Sequence, residues 1–267
     1  QAAVTAAAAA LFLVATIASA SAVQISRNQQ QSEYLVRFIR KSFEISKETA
    51  RTDNLTEYID ELGKDYLEDQ ELFSKGGQYA VDFHEAIGNA YLRLRRYKKA
   101  RKFLEATLQT LRQAGCTDEQ LEVVIHNLGG SQFNQAGILL GQAIELPATG
   151  PATTERTALL DQAYTELKSS AKSYQDSVQV KQRKYGKSHT KTLAARQMLG
   201  RCLLSEAKIL MAQNKQALAE ASCQKAIAVF SDVLATRQSI SDSEAAIGKT
   251  TKQLNSAENL LDELSGE

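Results

Sequence analysis

The stretch from Phe83 to Leu111, FHEAIGNAYLRLRRYKKARKFLEATLQTL, decides the fold. Its apolar residues recur at spacings of three and four, the mark of amphipathic helices, and the pattern predicts two short antiparallel helices joined by a turn near Arg95. Gly88 and Ala100 are expected where the helices cross, because only a missing or short side chain lets two backbones approach closely. Large residues then fill the flanks.

The positions of Ile87-Gly88, Tyr91, Tyr97, Ala100, Leu104 and Thr107-Leu108 resemble a tetratricopeptide repeat. Two departures are Thr107, where the family usually has Ala, and Arg95, where it often has Gly. The resemblance implies an all-α fold, a right-handed α-solenoid of antiparallel helix pairs with about 34 residues per pair. Further L-G pairs at Leu128-Gly129 and Leu199-Gly200 extend it along the chain.

Composition agrees with a helical chain. The 267 residues are 43% apolar and 24% charged, and Pro (2) and Gly (14) are scarce, with no alternating β-branched pattern. A formal charge of +1 argues against nucleic acid as the main partner. Cys116, Cys202 and Cys223 lack metal-binding spacing and, being odd in number, cannot all pair within the chain. They read as small buried hydrophobes, although a Cys202–Cys223 bridge across one hairpin is geometrically open.

Residues 1–26 contain no charged side chain before Arg27 and are long enough to cross a bilayer core of about 30 Å. A transmembrane helix is expected there, with a cleavable signal ending at Ala20-Ser21-Ala22 as its rival. Small residues at four-residue spacing, Ala15 with Ser19 and Ala18 with Ala22, suit packing against a neighbouring membrane helix. Arg27, Arg37, Arg40 and Lys41 follow the apolar run and would keep the larger part on the stromal or matrix side.

Residues 27–78 read as a linker with N-terminal helices, including a capping box at Asn54 and Glu57 with Asp60 and Glu61 facing water. Helical repeats occupy 79–238, about three in all. Thr117 is expected to cap the helix that carries Leu121, Val124, Ile125 and Leu128 and runs to about Glu145. The second repeat is overgrown, with a loop insertion at 147–154, PATGPATT, that holds both prolines. Tyr185-Gly186, His189 and Thr192 are similar to the junction between kinesin light-chain-type repeats, which implies that the His or Thr side chain caps the incoming helix. A second capping box at Ser241 and Glu244 would open a closing helix over 239–267, as stacked repeats require.

No motif of catalysis or cofactor binding occurs. His84, His126 and His189 stand at no metal-ligand spacing, and neither a phosphate loop nor a nucleophile elbow is present. No enzyme activity, cofactor or metal is therefore expected. The unusual feature is the basic run Arg93, Arg95, Arg96, Lys98, Lys99, Arg101 and Lys102, whose readings are a solvated turn, anionic lipid head groups or an acidic protein patch. Asn89 and Asn127 match positions at which related co-chaperones grip a chaperone tail, but Glu85, Ala194 and Met198 occupy the places of the basic residues in that grip.

These readings converge on a scaffold anchored in an organellar membrane, thylakoid or mitochondrial inner membrane. It would be a non-catalytic accessory subunit of a large complex, with the protein subunits of that complex as partners. The alternative is an adaptor that captures a peptide of a soluble protein in the repeat groove.

Overall fold

The computed structural model describes residues 59–61, 63, 64 and 78–266. Among them there is no strand; residues 59–61, 63 and 64 are helical, and from Gln78 onward follow α1 Gln78–Arg93, α2 Tyr97–Gln113, α3 Glu122–Glu145, α4 Thr153–Tyr185, α5 Thr190–Ala212, α6 Gln216–Ser239 and α7 Glu244–Ser265. No helix among the described residues is long and apolar enough to cross a membrane. The expected membrane helix with Ala15, Ala18, Ser19 and Ala22, and the capping box at Asn54 and Glu57, lie outside the described residues.

The chain divides into two compact units, Gln1–Asn127 and Leu128–Glu267, the division falling inside α3. In the first unit, α2 buries Ala100, Phe103, Leu104, Thr107 and Leu111, one apolar stripe at helical spacing. This stripe meets Ile87 and Tyr91 of α1, and Leu121, Val124 and Ile125 complete the buried set. A Cβ placed on Gly88 would stand 2.4 Å from Leu104 Cδ2, so the missing side chain is what admits Leu104. Tyr91 and Phe103 rings lie 5.8 Å apart at 54°, an arrangement aromatic pairs favour.

In the second unit successive helices run antiparallel. Ser170 of α4 donates to Gly129 O of α3 and lies against Cys202 of α5, while Gln216 at the start of α6 reaches Leu264 O at the end of α7. One core joins α3, α4 and α5 through Ala136, Leu139, Leu160, Leu167, Tyr174 and Ile209. The next joins α5, α6 and α7 through Leu204, Ala207, Leu210, Cys223, Phe230 and Ala257. Helix α5 is thus shared, one face in each core.

Both remaining L-G pairs sit under an aromatic ring of a later helix. A Cβ on Gly129 would be 3.2 Å from the Tyr174 ring, and one on Gly200 would be 2.7 Å from Phe230 Cε1.

Four of the helices end in the same way. In each, the second residue after the helix adopts a left-handed conformation: Arg95 (φ 55°), Gly115 (φ 84°), Asn214 (φ 57°) and Ser241 (φ 52°). The next N–H reaches back five residues, Arg96 to Tyr91 O, Cys116 to Leu111 O, Lys215 to Leu210 O and Asp242 to Arg237 O, at 2.9–3.0 Å. This is the double hydrogen-bonded closure that satisfies the last carbonyls of a helix. The left-handed residue of this closure is one that glycine adopts most easily, which is why Gly was the expectation at Arg95.

Three helix starts refine the sequence reading. His189 Nδ1 accepts from Lys191 N–H at 3.2 Å and the Thr192 hydroxyl donates to Gly186 O at 2.8 Å, so both residues tie the α4–α5 junction. Thr117 instead opens a turn before α3, where the Gln120 side chain accepts the Thr117 N–H at 2.8 Å. The cap of α7 is Ser243, whose hydroxyl accepts from Ala246 N–H at 3.3 Å, and not Ser241. Ser241 is already committed to closing α6, and one residue cannot adopt both the left-handed and the extended backbone.

Candidate functional site

The tip of the α1–α2 hairpin gathers the basic run. Arg93 ends α1, Arg95 and Arg96 form the turn, and Lys98, Lys99, Arg101 and Lys102 occupy the opening turns of α2. Left-handed backbone at Arg95 and the amphipathic register of α2 turn Ala100, Phe103 and Leu104 inward and leave Arg93, Arg95, Arg96, Lys98, Lys99 and Lys102 exposed.

Two cations of the run have carboxylate partners. Lys99 pairs with Asp60, and Arg101 Nε donates to Glu105 Oε1 at 3.0 Å, one helical turn along. Asp60 is not a freely solvated carboxylate, as its sequence position suggested: its other oxygen accepts the Tyr91 hydroxyl at 2.7 Å. Burial, then the Asp60 carboxylate, push the Tyr91 phenol well above its usual range, so it stays a donor. Arg93, Arg95, Arg96, Lys98 and Lys102 have no carboxylate partner among the described residues. Helix α2 also begins with no side-chain cap and no acidic residue in its first turn. The tip can therefore attract and hold anions.

Asn89 and Asn127, 38 residues apart, are brought together. Asn127 Nδ2 donates to Asn89 Oδ1 at 2.9 Å, and both side chains are half-buried in the first unit. The Asn89 Nδ2 donor and the Asn127 Oδ1 acceptor, which that bond does not use, have no partner among the described residues and are of the kind that pairs with a peptide backbone.

Two polar clusters of the second unit left no mark in the sequence. Glu206, buried on α5, accepts from Lys168 Nζ at 2.7 Å and from the Tyr164 hydroxyl at 3.3 Å, and its hydrogen bond raises the Lys168 ammonium pKa. Arg237, buried at the end of α6, pairs with Asp242 and donates to Gln197 Oε1 at 3.2 Å, while Gln197 donates to Gln253 at 2.7 Å. This chain of contacts ties α5, α6 and α7 at one end. Separations of 40 and 56 residues between partners give no local pattern that could have revealed it.

All three cysteines are free. Burial pushes the Cys202 thiol up to about 12 and raises Cys223 and Cys116 as well, so none is activated as a nucleophile. Among the described residues no group of His, Cys, Asp and Glu is placed to hold a metal ion.

No family model matches the chain, and no curated protein or solved structure is significantly similar to it.

Proposed function

We propose that this chain is a tetratricopeptide-like, right-handed α-solenoid that acts as a non-catalytic scaffold. The observation that carries the reading is a recurrence about two hairpin turns. Gly88, Tyr91, Ala100, Leu104 and Thr107 stand at fixed distances from Arg95, and Ala207, Leu210, Ala219, Cys223 and Ala226 stand at the same distances from Asn214. All ten positions are buried. Cores that share α5 are the arrangement stacked helix pairs produce, and stacking extends a surface for partners at little folding cost.

The apolar stretch over residues 1–26 anchors this scaffold as a single-pass protein of a thylakoid or mitochondrial inner membrane, with the repeats on the stromal or matrix side. There it serves as an accessory or assembly subunit of a large complex. Extraction in mild detergent followed by sizing tests this. Co-migration with a stable set of membrane subunits, identified by mass spectrometry, is the expected result; a small particle containing this chain alone overturns it.

The Asn89–Asn127 pair favours a second reading, an adaptor that holds a peptide of a soluble partner. Asn89→Ala and Asn127→Ala would then release that partner while leaving the helical content unchanged. The same variants leave the composition of a membrane complex intact under the first reading.

A further inference from the structure

The α1–α2 tip carries more positive charge than its fold requires. The α5–α6 turn adopts the same backbone closure with Gln213, Asn214 and Lys215, and its one cation is satisfied internally, Lys215 Nζ donating to Gln213 Oε1 at 3.0 Å. The geometry therefore needs no basic residue, whereas Arg93, Arg95, Arg96, Lys98 and Lys102 crowd like charges within ten residues. Lys98 also lies at the positive end of α2, where a cation is disfavoured. Charge kept against local stability points to an external anion.

The shape of the patch indicates which kind. Protein interfaces are centred on a buried apolar or aromatic anchor ringed by polar groups. The large exposed apolar side chains among the described residues are Ile138, Ile144, Met211, Leu218 and Ile240, and none is at the tip. A patch of long, exposed cations without carboxylate partners among the described residues, and without an apolar centre, suits adsorption to a charged plane. We propose that the α1–α2 tip binds the anionic head groups of a lipid bilayer through Arg93, Arg95, Arg96, Lys98 and Lys102. This goes beyond the anchoring reading and does not depend on it.

Each such cation strengthens adsorption by roughly fivefold at low ionic strength, and salt screens the effect over about 10 Å. The test uses the full chain with vesicles of phosphatidylcholine alone and of phosphatidylcholine with phosphatidylserine, and reads the ratio of the two affinities. An Arg93→Gln, Arg96→Gln, Lys98→Gln variant is expected to lower that ratio by about 100-fold. A control that removes equal charge elsewhere, Lys187→Gln, Lys249→Gln, Lys252→Gln, keeps it. Circular dichroism checks that both variants fold.

An unchanged ratio in the tip variant, or an equal fall in the control, overturns the proposal. So does tighter capture by soluble polyglutamate than by phosphatidylserine vesicles, which would assign the tip to an acidic protein. Binding to the neutral vesicles reads the apolar anchor separately, so loss of the anchor and failure of the tip are told apart.

Discussion

Hairpins α1–α2 and α5–α6 set the same kinds of residue at the same distances from a left-handed turn, yet their second arms differ in length. The second arm has 17 residues in the first hairpin and 24 in the second. It is longer by seven residues, close to two turns at 3.6 residues per turn. Two whole turns return a helix to almost the same face. The contact between glycine and a large side chain has moved outward by the same step: Gly88 is seven residues before its turn residue and Gly200 is fourteen. Near its turn, the longer hairpin places Ala207 and Cys223 where the shorter one has Gly88 and Leu104. Between these two hairpins the close crossing lies seven residues, about two turns, further from the turn on each side.

The outward crossing is the place to break this comparison. Phe230→Ala removes the ring over Gly200 and should cost about 3–5 kcal/mol, with Leu104→Ala in the short hairpin costing about 2–5. Hydrogen exchange resolves the two: Phe230→Ala should open α5 and α6, and Leu104→Ala should open α1 and α2. Equal opening of both hairpins in either variant would contradict the division into two units.

Glycine substitutions sharpen the contrast by sign. Three Phe230 ring atoms lie within 3.0 Å of a Cβ on Gly200, so Gly200→Ala should destabilise by about 1–3 kcal/mol in chemical denaturation. Nothing lies within 4 Å of a Cβ on Gly137 or Gly141 of α3. Ala at either of those positions should stabilise by about 0.5–1 kcal/mol, because glycine is a poor helix former.

The turns themselves give a smaller effect. Arg95→Gly and Ser241→Gly relieve left-handed backbone and should each stabilise by about 1 kcal/mol. Asn214→Gly should change little, because Asn tolerates that conformation, and Gly115→Ala should cost about 1 kcal/mol. Thermal melting of the four variants checks the series.

Stability should also fall in alkali. Burial raises the pKa of the Cys202 thiol to about 12 and shifts the Tyr174 and Tyr91 phenols upward. Each contributes stability that is fully present below its unfolded pKa, about 8.5 for Cys and 10 for Tyr, and is lost as pH rises through its folded value. Urea midpoints should decline from about pH 9 upward, and at pH 8 the partly exposed Cys116 should react with a thiol reagent before the buried Cys202 and Cys223.

Much of the helical order was legible because it rests on local patterns. Gly88, Gly129 and Gly200 marked close crossings, PATGPATT marked the break between α3 and α4, and His189 marked the start of α5. Reading Ser241 as a cap failed because a Ser followed by Glu three residues later fits both a helix start and the end of the preceding helix. Only the backbone of Ser241 separates the two. The basic run was visible in the chain, but which of its members are already paired was not, since Lys99 meets Asp60 across 39 residues.

The amino-acid sequence by itself determined where this chain coils and which residues are too small to keep helices apart. Periodicity and side-chain size act within a few residues, and these can be read in line. Tertiary structure alone decided the register of the long hairpin on Asn214, the meeting of Asn89 with Asn127, and the burial of Arg237 against Asp242 and Gln197. Each depends on how far one helix slides along another, and that is set by the summed packing of whole helices rather than by any short stretch.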